Sequence, residues 1–171
     1  MACRENFSIE SEIALNDQIN LELAASHTYL SMAAHFNQDG VALSGFYKFF
    51  MHSSEEERNH AKKLIEYQNK RGGQVILTDI KFKGPEAEIT PLNALETSLE
   101  MEKSVHRSLL ALHVIASDSQ DHQFTDFIEG EFLKEQVESE KLLSDMITKL
   151  KLCGDGLGIF IFDKHLNETM T

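Results

Sequence analysis

Glu57 and His60 are the residues best placed to do chemistry. They form one Glu-x-x-His inside the stretch SSEEERNHAKK, residues 53–63. Side chains three apart on an α-helix share a face, one turn from each other. Phe46, Phe50, Ser53, Glu57, His60, Leu64 and Tyr67 are spaced alternately by four and three, the period of a buried bundle seam. A carboxylate and an imidazole thus fall where that period calls for apolar side chains. Burying a carboxylate is costly unless a cation or a donor pairs it. A bound metal is one answer. Helices are rich in both residues, so the pair alone also fits an ordinary helix face.

The other apolar seams carry the same kind of interruption. Leu15, Ile19, Glu22, Ser26, Tyr29, Ala33 and Phe36 form one. Leu92, Leu95, Leu99, Glu102, Leu109 and Leu112 form a second. Phe132, Gln136, Ser139, Leu143, Met146 and Leu150 form a third. Glu22, Glu57 with His60, Glu102 and Gln136 each lie near the middle of their own helical stretch, so in a bundle they converge at one level. Three carboxylates in an apolar layer would repel and desolvate each other, and two divalent cations would relieve that. Oxygen-rich donors with one imidazole suit iron, manganese or zinc rather than copper(I). One position would hold Glu22, Glu57 and His60. The other would hold Glu57 and Glu102, with only neutral help from Gln136, giving one tight and one looser site.

Tyr29 lies two turns along the stripe from Glu22. Its phenol could bond a metal ligand or donate an electron, or be a core tyrosine with its hydroxyl satisfied. His106, four residues after Glu102, reads as a half-exposed helix histidine. Glu56 points about 100° away from Glu57 and reads as a solvated or inner-surface carboxylate.

The elements that must position these residues follow from composition and punctuation. The chain has 171 residues, 42% hydrophobic and 26% charged, which fits a single domain, 1–171, with a real core. Only 2 prolines and 9 glycines interrupt it, favouring helices. A net charge of −12 argues against nucleic-acid and anionic-membrane partners and suits cationic ligands, or simply solubility. Two cysteines, Cys3 and Cys153, make no disulfide framework or zinc motif. No signal-like run and no membrane-length apolar run is present, so the expected location is the cytoplasm.

Helices are predicted over about 9–37, 44–71, 91–119 and 122–152, with a short fifth over 157–166. Ser44 is a candidate N-cap, and Thr90-Pro91 supplies an N-cap with Pro at the first helical position. Residues 1–8 read as a flexible tail. Residues 74–90 read as a long crossover, extended over QVILTDIKF and broken at Gly84-Pro85. A loop this long makes sense if it runs the length of a bundle. Two antiparallel hairpins joined by a crossover make an all-α, ferritin-like four-helix bundle.

The stretches QINLELAASHTYLSM, EEERNHAKKLIEYQNKRGG, LEMEKSV, FLKEQVESEK and GLGIFIFDKHL together resemble ferritin of the catalytic heavy-chain type, over about 9–166. The resemblance implies iron storage in a hollow homo-oligomeric shell of twenty-four subunits with octahedral symmetry, open to co-assembly with other ferritin subunits. It implies ferroxidase activity: iron(II) is oxidised by dioxygen at a site for two irons per subunit, where other divalent metals can substitute. The implied site residues are Glu22, Glu57, His60, Glu102 and Gln136, with Tyr29 close by. Light-type subunits lack this set. Asp126 and Glu129 match the acidic residues of the family's threefold entry channel, with His113 near that route and Glu131 a further acid. On their own they read as a solvated pair.

Two positions depart from the family pattern. Heavy-type chains continue an acidic inner-surface row from Glu56, whereas this chain has Asn59 and Lys62. The loop Gly154-Asp155-Gly156 is also short. The last helix, with Leu157, Phe160, Ile161 and His165, resembles the piece that packs around fourfold axes. Other readings are a cage subunit with little catalysis, a di-iron oxygenase, which would call for a second Glu-x-x-His, and a DNA-protecting mini-ferritin, which the acidic charge and fifth helix disfavour.

Overall fold

Local signals set the helix ends. Ser8 accepts from Ser11 N and opens α1, Ile9–Phe36, with Glu10 and Glu12 in its first turn, where the helix dipole favours acids. Gly72, at φ 75°, closes α2, Ser44–Lys70, in a conformation that suits glycine. Thr90 and Asn93 form a reciprocal capping box at the start of α3, Pro91–Asp118. Asp121 caps α4, His122–Ile128. A π-helical turn, Glu129–Leu133, follows, then α5, Lys134–Cys153, and α6, Leu157–Thr169. The computed structural model describes residues 3–80 and 89–169, and among them there is no strand. The predicted break at Gly84-Pro85 lies outside the described residues.

α1 pairs with α2, α3 pairs with α4 and α5, and α6 packs across α2 and α5. This is the ferritin-like four-helix bundle with a short C-terminal helix. Its apolar core is in two parts. One, toward α6, is built on Tyr29, Phe36, Phe46, Phe50, Leu95, Met146 and Phe162. The other, toward the opposite end, is built on Phe7, Leu15, Ile19, Leu64, Leu109, Phe124 and Phe132. The polar residues of the four seams, Glu22, Glu57, Glu102 and Gln136, lie between them.

Four local expectations need correction. Ser44 is not the cap of α2: the helix begins with it, and Leu43 before it makes no side-chain cap. Asp163 of α6 does the capping, taking the amides of Gly45 at 2.8 Å and Phe46 at 2.9 Å. Ser54, not Ser53, is the buried serine of α2, because α1 and α2 approach closely there: Ser26 and Ser54 each donate to the other's carbonyl at 2.8 Å. The predicted 122–152 helix contains the π-helical turn. Its buried residues Phe124, Ile128, Phe132 and Gln136 are spaced by four. In a regular α-helix that spacing drifts by about 40° per step, and a wider turn absorbs the drift.

The fourth correction concerns residues 3–8, which are held down rather than loose. Phe7 is buried, Arg4 pairs with Glu12, and Arg71 donates to the carbonyls of Glu5 and Asn6. Arg71 also pairs with buried Asp121 at 2.7 Å, joining this segment to the α3–α4 turn. The start of the crossover is extended, as expected. Asn16 and Asn20 of α1 serve it like a neighbouring strand, donating to Gln74 O and Ile76 O and accepting from Ile76 N and Thr78 N at 2.9–3.0 Å.

Candidate metal centre

Glu22 of α1, Glu57 of α2, Glu102 of α3 and Gln136 of α5 are exposed by only 0%, 5%, 5% and 6%. They face one another from four elements, as the seam pattern required. Candidate ligand atoms of Glu22, Glu57 and His60 all lie within 4.8 Å of one another. His60 holds Nδ1 3.4 Å from Glu57 Oε2, and its Nε2 lies 3.2 Å from Glu135 Oε1. Its ring sits edge-on to Phe132.

Glu102 is tied more fully. Tyr29 donates to its Oε1 at 2.5 Å, and Gln136 Nε2 donates to its Oε2 at 2.6 Å and to its backbone carbonyl at 2.9 Å. Glu22 has Gln18 Nε2 on Oε1 at 2.7 Å, while its Oε2 is buried without a hydrogen-bond partner among the described residues. The layer thus has one side with bare ligand atoms and one side whose carboxylate is already occupied by neutral donors.

The electrostatics follow from crowding. Burial, then the neighbouring Glu57 charge, pushes the Glu22 carboxyl well above the usual range. Burial, then Glu102, pushes Glu57 up to about 8. Burial, then Glu102, also raises the Tyr29 phenol. Burial and crowding thus favour the protonated forms, and a bound cation would favour the ionised ones. An orphaned buried carboxylate oxygen, two further acids and an imidazole form a donor set that fits iron(II) or a similar divalent ion.

The layer opens into a cleft of about 410 Å³. His52, Glu56, Glu135 and Glu138 line it, with Ser53 and Ser139. Glu56 is exposed and 3.3 Å from His52, outside the buried trio. Asp126 and Glu129 are exposed, ten and seven residues before Gln136 on the same helical stretch, with Glu129 2.6 Å from His113. Glu131 pairs with Lys63 at 3.1 Å. His106 is half-buried against Glu140 at 2.6 Å. Sequence reasoning missed Gln18, Glu135 and Glu138. For Gln18 the signal was present, one turn before Glu22 and beside the seam residue Ile19.

The bundle with this polar layer defines a class: the chain belongs to the ferritin family, whose ferritin-like domain matches residues 12–153. It is 55% identical over 162 residues to the soma ferritin of Lymnaea stagnalis, covering 95% of this chain and 93% of that protein. It is 50% identical over 162 residues to the ferritin heavy chain of Echinococcus granulosus, covering 95% and 94%. Against the ferritin-1 heavy chain of Schistosoma mansoni the identity is 49% over 163 residues, again covering 95% and 94%.

Proposed function

We propose that this chain stores iron and is itself a ferroxidase, oxidising iron(II) with dioxygen at the buried layer. The observation that carries the reading is the convergence of Glu22, Glu57, Glu102 and Gln136 between two apolar cores. Iron is the substrate, two ions per subunit. One is held by Glu22, Glu57 and His60. The other is held more loosely by Glu57, Glu102 and Gln136, because Glu102 already serves Tyr29 and Gln136. Two irons together give two electrons to one dioxygen, which with two protons becomes hydrogen peroxide, and anionic oxygen ligands favour the higher charge left on the irons. The ions then leave by the cleft, whose acidic rim attracts cations.

The names of the heavy-chain relatives point the same way. Asp126 and Glu129, exposed on α4 and the π-helical turn, are proposed to line the cation entry route, with Glu56 an acid of the inner surface. Storage implies a cage, here a homo-oligomer of twenty-four subunits able to co-assemble with related ones. The exposed apolar side chains Leu157, Phe160 and Ile161 of α6 support burial between subunits. Exposed free Cys3 and Cys153 suit a cytoplasmic location. No helix among the described residues is long and apolar enough to cross a membrane.

The test is to load metal-free protein anaerobically with iron(II) and then admit air. Fast oxidation by the parent is expected, falling to the buffer rate in Glu57→Ala and His60→Ala. Parent oxidation no faster than buffer would make the chain an inert cage subunit.

A further inference from the structure

Gln18 lies one turn before Glu22 on α1 and has no solvent exposure. Its Nε2 donates to Glu22 Oε1 at 2.7 Å, and its carbonyl oxygen is buried without a hydrogen-bond partner among the described residues. The amide is thus committed to one carboxylate oxygen. When Glu22 is ionised, as a metal ligand is, the opposite orientation would set the Gln18 carbonyl against an anionic oxygen, so the amide donates. Gln68 offers a contrast within the same chain. It is equally buried and leaves its carbonyl oxygen equally unpartnered, but its Nε2 holds the backbone carbonyls of Glu12 and Gln74, latching the crossover to α1. One buried glutamine secures the chain, whereas the other reaches only a side chain of the polar layer.

We propose that Gln18 is a positioning residue for Glu22, and that it sets how tightly a metal is held by Glu22, Glu57 and His60. A glutamate side chain has a soft terminal torsion, so an untethered carboxylate turns either oxygen toward a cation. With Oε1 held by Gln18, the carboxylate plane is fixed and the bare Oε2 is the oxygen left for the metal. Partners one step behind a metal ligand act in this way, orienting it and raising its affinity. This inference rests on the metal reading of the trio.

Cobalt(II), which does not undergo the iron reaction, is titrated into the assembled, metal-free protein and followed by its visible absorption. Gln18→Met is expected to weaken cobalt binding about tenfold and to alter the band shape, because the Glu22 carboxylate is no longer fixed. Gln18→Leu, of different shape, is expected to do the same, so one poorly folding variant does not decide the matter. Gln68→Met is expected to lower thermal stability while keeping the parent affinity. Parent-like affinity in both Gln18 variants would overturn the proposal, as would an equal loss in Gln68→Met. A parent whose cobalt binding is indifferent to Glu22→Gln would overturn the metal reading of the trio, and this proposal with it.

Discussion

Tyr29 on α1 donates a 2.5 Å hydrogen bond to Oε1 of Glu102 on α3, joining the two hairpins at the level of the polar layer. Gln136 takes the other oxygen of the same carboxylate. Glu102 is therefore oriented from both sides before any cation arrives. In Tyr29→Phe, Oε1 loses its donor while the ring can stay against Phe50, on which Tyr29 stacks. Loss of one charge-assisted bond is worth roughly 1.5 kcal/mol. Iron(II) oxidation should slow by up to about tenfold with the bound-metal stoichiometry unchanged, as stopped-flow rates and metal analysis would show. A parent rate would reduce Tyr29 to a core tyrosine.

The metal-free protein should lose stability as pH rises. Glu57 is raised to about 8 in the fold, mainly by burial, and Glu22 is raised too. Between the unfolded carboxyl value of about 4.5 and the folded value, the native state binds more protons than the unfolded chain. Stability conferred by these neutral acids is complete at the low end of that window and is lost as pH climbs through about 8. Denaturant midpoints of metal-free protein should fall from pH 5 to pH 8.5, and Glu57→Gln should flatten that slope. Divalent metal must displace the protons, so its binding should tighten over the same range. A flat profile in the parent would mean that the acids of this layer are charged in the fold.

Asp163 holds α6 to the start of α2 through two backbone amides, and Gly45 makes room for it. Asp163→Ala should cost about 2 kcal/mol, as a lost N-cap does, and lower the melting temperature by roughly 4–8 °C. Gly45→Ala should be worse, because its Cβ would stand 2.0 Å from Asp163 O. Thermal unfolding monitored by circular dichroism would check both. If Gly45→Ala melts with the parent, α6 is not seated as described.

Much of this was readable from residue types and spacing. The seams place Glu22, Glu57, Glu102 and Gln136 at one level because a period of 3.5 to 3.6 residues defines a single inward stripe. Thr90 and Pro91 announce α3 through local backbone chemistry alone. Features that depend on distant partners were not readable. Asp163 caps a helix 118 residues away, and no local pattern at Ser44 could reveal that. Arg71 ties down residues 4–7 only once the fold brings them together. The π-helical turn was half-visible, in the spacing by four around Gly130, but a run of fours also fits an α-helix with a broad apolar face.

The most direct measurement is anomalous diffraction at the iron edge from crystals soaked in iron(II). Two peaks per subunit are expected: a strong one among Glu22, Glu57 and His60, and a weaker one among Glu57, Glu102 and Gln136. A map with no peak between these side chains would contradict the proposed centre.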